Sequence, residues 1–91
     1  MKARVISPEE VEKVPRGGIV WIEFFDGELG RSTGMFCAMK TRRGTLVDEE
    51  GSDYNDFAAD ITPDAEGDCW RFWNAKPTAK QRKEVAWSEG V

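Results

Sequence analysis

A chain of 91 residues with a formal net charge of −4 has room for one hydrophobic core, which excludes a second domain. It contains no histidine, so the commonest general base and the commonest metal ligand are both missing. Four Trp, five Phe and one Tyr in turn exclude a disordered chain, because such rings drive burial and are scarce where chains stay unfolded.

Taken from the N-terminus, Ser7-Pro8-Glu9-Glu10 predicts a helix start, with Ser7 as N-cap, Pro8 at the first helical position and Glu10 completing a capping box. Pro15 ends this helix near Val14. Arg16-Gly17-Gly18 then turns the chain into Ile19-Val20-Trp21-Ile22-Glu23-Phe24-Phe25, a β-branched and aromatic run nearly apolar on both faces. Such a run belongs in the middle of a sheet, with Val20, Ile22 and Phe24 lining one face.

Asp26-Gly27 opens a loop continuing through Gly30 and Gly34, and Met35-Phe36-Cys37-Ala38-Met39 offers a second strand. Arg42-Arg43-Gly44 supplies the next turn and Thr45-Leu46-Val47 the next short strand, which together make an antiparallel meander. From Asp48 the pattern weakens into an acidic segment containing Tyr54, Phe57 and Ile61, compatible with a strand or with an irregular loop.

Alternation returns at Cys69-Trp70-Arg71-Phe72-Trp73, with Trp70 and Phe72 on one face and Arg71 and Trp73 on the other. Thr78 and Gln81 are spaced as a second capping box ahead of a helix from Ala79 to Ala86, which Trp87 would anchor to the sheet. The expected fold is therefore α+β and mainly β. It is a small antiparallel sheet or SH3-like barrel of four to five strands, with a short N-terminal helix and a C-terminal helix, and 1–91 forms one domain.

Motifs for catalysis are sparse. There is no C-x-x-C and no phosphate loop of the G-x-x-x-x-G-K-[ST] type, and Gly27, Gly30 and Gly34 read as turn residues. Cys37 and Cys69 alone make neither a disulfide framework nor a zinc site, and read as ordinary half-buried thiols. With no stretch of about 20 apolar residues and no signal-peptide core, the expected location is the cytoplasm and no membrane contact is expected. Enzymatic function and a cofactor are not expected.

The net charge conceals a split. Between Asp48 and Asp68 lie nine carboxylates, Asp48, Glu49, Glu50, Asp53, Asp56, Asp60, Asp64, Glu66 and Asp68, with no Lys or Arg among them. Only eight of the seventeen acidic residues fall elsewhere, against all thirteen basic ones. Three readings compete for this band: a solvated loop that pairs with the chain's own cations, a binding surface for a basic groove, and a metal site. No register supplies the alternating oxygens, sixth-position glycine and twelfth-position glutamate of an EF-hand. As a binding surface the band would use its nine carboxylates together with Tyr54. The basic remainder, including Arg42, Arg43 and Lys80 to Lys83, raises direct nucleic-acid binding with Trp stacking as a lesser alternative, which the neighbouring negative charge opposes.

The closing segment Trp70-Arg71-Phe72-Trp73-Asn74-Ala75-Lys76-Pro77-Thr78, followed by Gln81-Arg82 and Trp87, fits W-R-x-W-x-x-x-P-T-x-x-Q-R-x-x-x-x-W. In this pattern, in Ile6 to Val11 leading to Pro15, and in Val20-Trp21-Ile22-Glu23 before Asp26-Gly27-Glu28, the chain resembles small proteins encoded in phages and prophages of Gram-positive bacteria. The resemblance implies a genomic context rather than an activity. In that context the expectation is an accessory protein that occupies a host protein with a basic groove, such as a nucleic-acid-binding defence protein, in the manner of an anti-CRISPR inhibitor. A structural or assembly role is a further alternative.

Overall fold

The computed structural model describes residues 2–85 and Trp87. Six strands form one antiparallel sheet in the order β1-β6-β2-β3-β4-β5: β1 (Val5–Ile6), β2 (Ile19–Asp26), β3 (Arg31–Lys40), β4 (Leu46–Asp48), β5 (Asp53–Tyr54) and β6 (Cys69–Trp73). Three short helices accompany them, α1 (Pro8–Glu12), α2 (Phe57–Ile61) and α3 (Ala79–Glu84). The fold is α+β and mainly β, as expected, but the sheet is open and has six strands rather than four or five. Its two additional strands, β1 and β5, are two-residue edges. Edges that short give another chain little backbone to pair with.

β2 lies centrally, hydrogen-bonded to β3 on one side and β6 on the other, because a run apolar on both faces loses least when both faces are covered. Val20 and Ile22 are fully buried on one face, and Phe24 joins them beside Trp70. Ala38, Leu46, Phe72 and Ile6 extend this core across the sheet, and Val11 of α1 and Phe57 of α2 close it from above. Each fully buried large apolar side chain contributes about 1.5–3 kcal/mol. Lys40 is nearly buried on the same side and donates from Nζ to the Val11 carbonyl at 2.7 Å, which ties α1 to the sheet.

Both expected capping boxes form, Ser7 with Glu10 and Thr78 with Gln81. The last residue of the expected C-terminal helix, Ala86, lies outside the described residues, and α3 ends at Glu84. β3 begins at Arg31, so Gly34 belongs to the strand and not to the loop. There the register shifts between Phe24 and Phe25, and Gly34 sits opposite Phe24. The undecided acidic segment contains both an edge strand and α2. Cys37 and Cys69 are free thiols. Among the described residues no helix is long and apolar enough to cross a membrane.

Candidate functional site

The acidic band begins where β4 ends, and its first carboxylate builds the turn. Asp48 Oδ1 accepts from the amides of Glu50 (2.9 Å) and Ser52 (3.0 Å), while Asp48 Oδ2 accepts from the Tyr54 hydroxyl at 2.9 Å. Gly51 takes the left-handed conformation, φ +87°, that closes the turn. The same device recurs sixteen residues on. Asp64 Oδ1 accepts from the amides of Glu66 (2.9 Å) and Asp68 (3.0 Å), and Gly67 has φ +83°. Asp48-Glu49-Glu50-Gly51-Ser52 and Asp64-Ala65-Glu66-Gly67-Asp68 are thus twin turns, each leaving its glutamate at the third position exposed.

Two more carboxylates are also structural. Asp56 caps α2 by accepting from the Ala59 amide at 3.1 Å, and Asp68 Oδ1 accepts from the Gly27 amide at 2.8 Å, docking the second turn against the end of β2. Asp60 is half-buried, and its Oδ2 is enclosed with no hydrogen-bond partner among the described residues. Glu49, Glu50, Asp53 and Glu66 remain: all four are exposed and none holds a turn or a cap.

None of the nine carboxylates makes an ion pair among the described residues. The four pairs within 4.0 Å among the described residues are Arg4 with Glu10, Arg71 and Arg82 with Glu23, and Lys80 with Glu84. The band's negative charge is therefore left to solvent or to a partner. Nor do three metal-ligating side chains converge anywhere among the described residues.

Between the first turn and the sheet lies a cleft of about 340 Å³ lined by Phe36, Asp48, Glu49, Glu50, Ser52, Tyr54 and Trp70. Phe36 and Tyr54 are near-parallel with centroids 6.0 Å apart, and Trp70 meets both edgewise, at 5.4 Å and 5.7 Å. The rings belong to the core face of the sheet, yet all three are only half-buried. Burial disfavours the charged Asp48, but the amides of its turn and the Tyr54 hydroxyl outweigh this and hold its carboxyl below the usual range. Burial and the adjacent Asp48 push the Tyr54 phenol well up, so it stays a donor. Asp60 moves the other way from Asp48. Burial, with Asp56 close by, raises its carboxyl.

The opposite face of the sheet carries a buried charge cluster. Glu23 is fully buried in β2, and its Oε1 accepts from Arg71 Nε at 2.6 Å and Trp73 Nε1 at 2.9 Å. Its Oε2 accepts from Arg82 Nε at 3.1 Å. Arg71 also donates to the carbonyls of Val85 and Arg82, and its guanidinium lies 4.0 Å from the Trp87 ring centroid. Desolvation opposes ionisation of Glu23, but hydrogen bonds from Arg71, Ser32 and Trp73 prevail and keep it below its ordinary range. Four residues of the closing W-R-x-W…Q-R…W pattern, Arg71, Trp73, Arg82 and Trp87, are thereby spent on fastening the C-terminal segment to the sheet. Glu23 went unnoticed in the sequence, although a lone carboxylate inside a central apolar strand requires a buried cation.

A second cleft, of about 430 Å³, adjoins this cluster and is lined in part by Phe25, Ser32, Arg82 and Trp87. Gly30-Arg31-Ser32-Thr33-Gly34 has the spacing of a serine nucleophile motif, G-x-S-x-G, but lies at the start of β3 and not at a strand-to-helix elbow. Ser32 Oγ accepts from Arg82 at 2.6 Å, and its carboxylate neighbour Glu23 is engaged by Arg71, Trp73 and Arg82. Arg42 and Arg43 are exposed in the β3–β4 turn, whereas Trp73 is fully buried and has no face for a nucleic-acid base.

Comparison with protein-family models, curated proteins and solved structures gives no match to this chain.

Proposed function

We propose that this protein is a non-enzymatic binding protein that occupies the basic groove of a host protein through its acidic band, in the manner of a phage-encoded inhibitor of a nucleic-acid-binding defence protein. The observation that carries this reading is the band itself, nine carboxylates with no cation within ion-pairing distance among the described residues. A groove built to hold phosphates offers the matching charge, and such complementarity accelerates encounter and fixes register. Turn and cap bonds hold the band in shape, so Glu49, Glu50, Asp53 and Glu66 are presented at little cost in ordering on contact.

The test reverses those four residues to Lys, leaving Asp48, Asp56, Asp64 and Asp68 in their turns and caps. Affinity capture from a bacterial host lysate should return a basic protein with the native chain, lose it with the reversed chain, and weaken as salt rises. Stability should change by less than about 0.5 kcal/mol per site, since these are exposed residues without structural bonds. Equal capture by both proteins would overturn the reading.

A further inference from the structure

The cleft between the first acidic turn and the sheet differs from the rest of the band in having an aromatic floor. Half-buried Phe36, Tyr54 and Trp70 line it, and Asp48, Glu49 and Glu50 stand at its rim. Elsewhere on this face Phe57 and Phe72 meet edge to face and are both buried where α2 packs on β6. Here the acidic turn crosses beside the three rings and leaves a concavity of about 340 Å³.

We propose that this cleft is the receptor for a single arginine side chain of the basic partner. The inference rests on the reading that the band meets a basic protein, and names the contact at its centre. Aromatic faces carry the negative end of a quadrupole and attract cations, so floor and rim attract the same ligand. Among cations a guanidinium fits best: it is planar and can lie on a ring, it is weakly hydrated, and its donors can take a carboxylate in a fork. An ammonium offers a compact, strongly hydrated charge that loses more on leaving water. Asp48 is engaged by its own turn and by the Tyr54 hydroxyl, which fixes the Tyr54 ring. Glu49 and Glu50 have no such duty and are the carboxylates that reach the guanidinium. A sheet-borne floor with a turn-borne rim is pre-formed, and binding there orders few side chains.

Hexa-arginine and hexa-lysine peptides serve as probes, titrated into the isotope-labelled protein and followed by NMR at low salt. Hexa-arginine should bind about two- to fivefold more tightly than hexa-lysine, the margin that stacking on exposed rings supplies. It should shift the side-chain signals of Phe36, Tyr54 and Trp70 most. Glu49→Gln with Glu50→Gln should weaken both peptides, and Phe36→Leu should reduce the arginine preference; were the Phe36 variant not to fold, the peptide comparison on the native chain would still decide. Equal binding of both peptides, with shifts spread over Asp53 and Glu66 and none on the rings, would overturn the arginine cleft and leave the acidic interface standing. Failure of both peptides to bind would overturn the two together.

Discussion

Glu23 lies buried with three side-chain donors within 3.1 Å, whereas none of the nine carboxylates from Asp48 to Asp68 has a cation within 4.0 Å among the described residues. The difference follows from the solvent each group faces. A charge removed from water must be met by donors inside the fold, so Glu23 recruits Arg71, Trp73 and Arg82 and in doing so ties the C-terminal segment to β2. Carboxylates in water need no such partners. They are free to make turns, as Asp48 and Asp64 do, or to remain available, as Glu49, Glu50, Asp53 and Glu66 do.

The largest expected effect comes from breaking the first arrangement. Glu23→Leu strands the Arg71 guanidinium, only 3% exposed, and should cost about 3–5 kcal/mol in urea unfolding at pH 7. Glu23→Gln keeps an acceptor for Trp73 and should lose less. Because the folded-state pKa of Glu23 is lowered, its contribution is complete above the ordinary glutamate value, about 4.3, and disappears as pH falls through the folded value. The gap between native and Glu23→Leu proteins should therefore narrow in acid. A gap unchanged down to pH 2 would show that packing, not charge, makes Glu23 necessary.

How far the sequence disclosed this comparison varies by element. β2, β6, the second half of β3 and both capping boxes were legible, because alternation and cap spacing are local signals, whereas the glycine-flanked first half of β3 read as loop. β1 and β5 were not, since two residues carry no periodicity and exist only through pairing with β6 and β4. Neither was α2, five residues long, whose helix start is marked by one carboxylate, Asp56, in a run of carboxylates. For the band, composition disclosed the charge but not its division of labour. The twin D-x-E-G turns were visible as a repeat, and would have separated the turn-building aspartates from the exposed glutamates. Glu23 and its two arginines lie 48 and 59 residues apart, a pairing that only the fold reveals.

A smaller effect sharpens the second arrangement without touching its charge. Gly27 packs so closely on the backbone of Glu66 and Gly67 that a Cβ has no space, and neither backbone can yield as a side chain would. Gly27→Ala should cost about 1–3 kcal/mol by overpacking. It should also displace the Asp64 to Asp68 turn, whose Asp68 accepts from the Gly27 amide, while the Asp48 to Tyr54 turn keeps its amide shifts. If both turns moved together, the band would be one unit rather than two separately anchored turns.

Asp60 stands between the two arrangements and gives the finest test of them. It is partly buried, where Glu23 is wholly so, and without a cation like the rest of the band, with an enclosed Oδ2 and Asp56 nearby. Burial and the nearby Asp56 raise its folded-state pKa above the ordinary aspartate value of about 3.9, so between the two values the folded protein retains a proton that the unfolded chain has released. Stability from this group is then full below that value and declines as pH rises through the folded pKa, the reverse of Glu23. Asp60→Asn removes the titration while keeping the shape, and should make the protein more stable than native at pH 7. The gain should vanish below about pH 4. If Asp60→Asn were neutral at both pH values, the carboxylate would already be fully solvated, and incomplete burial would carry no cost at this position.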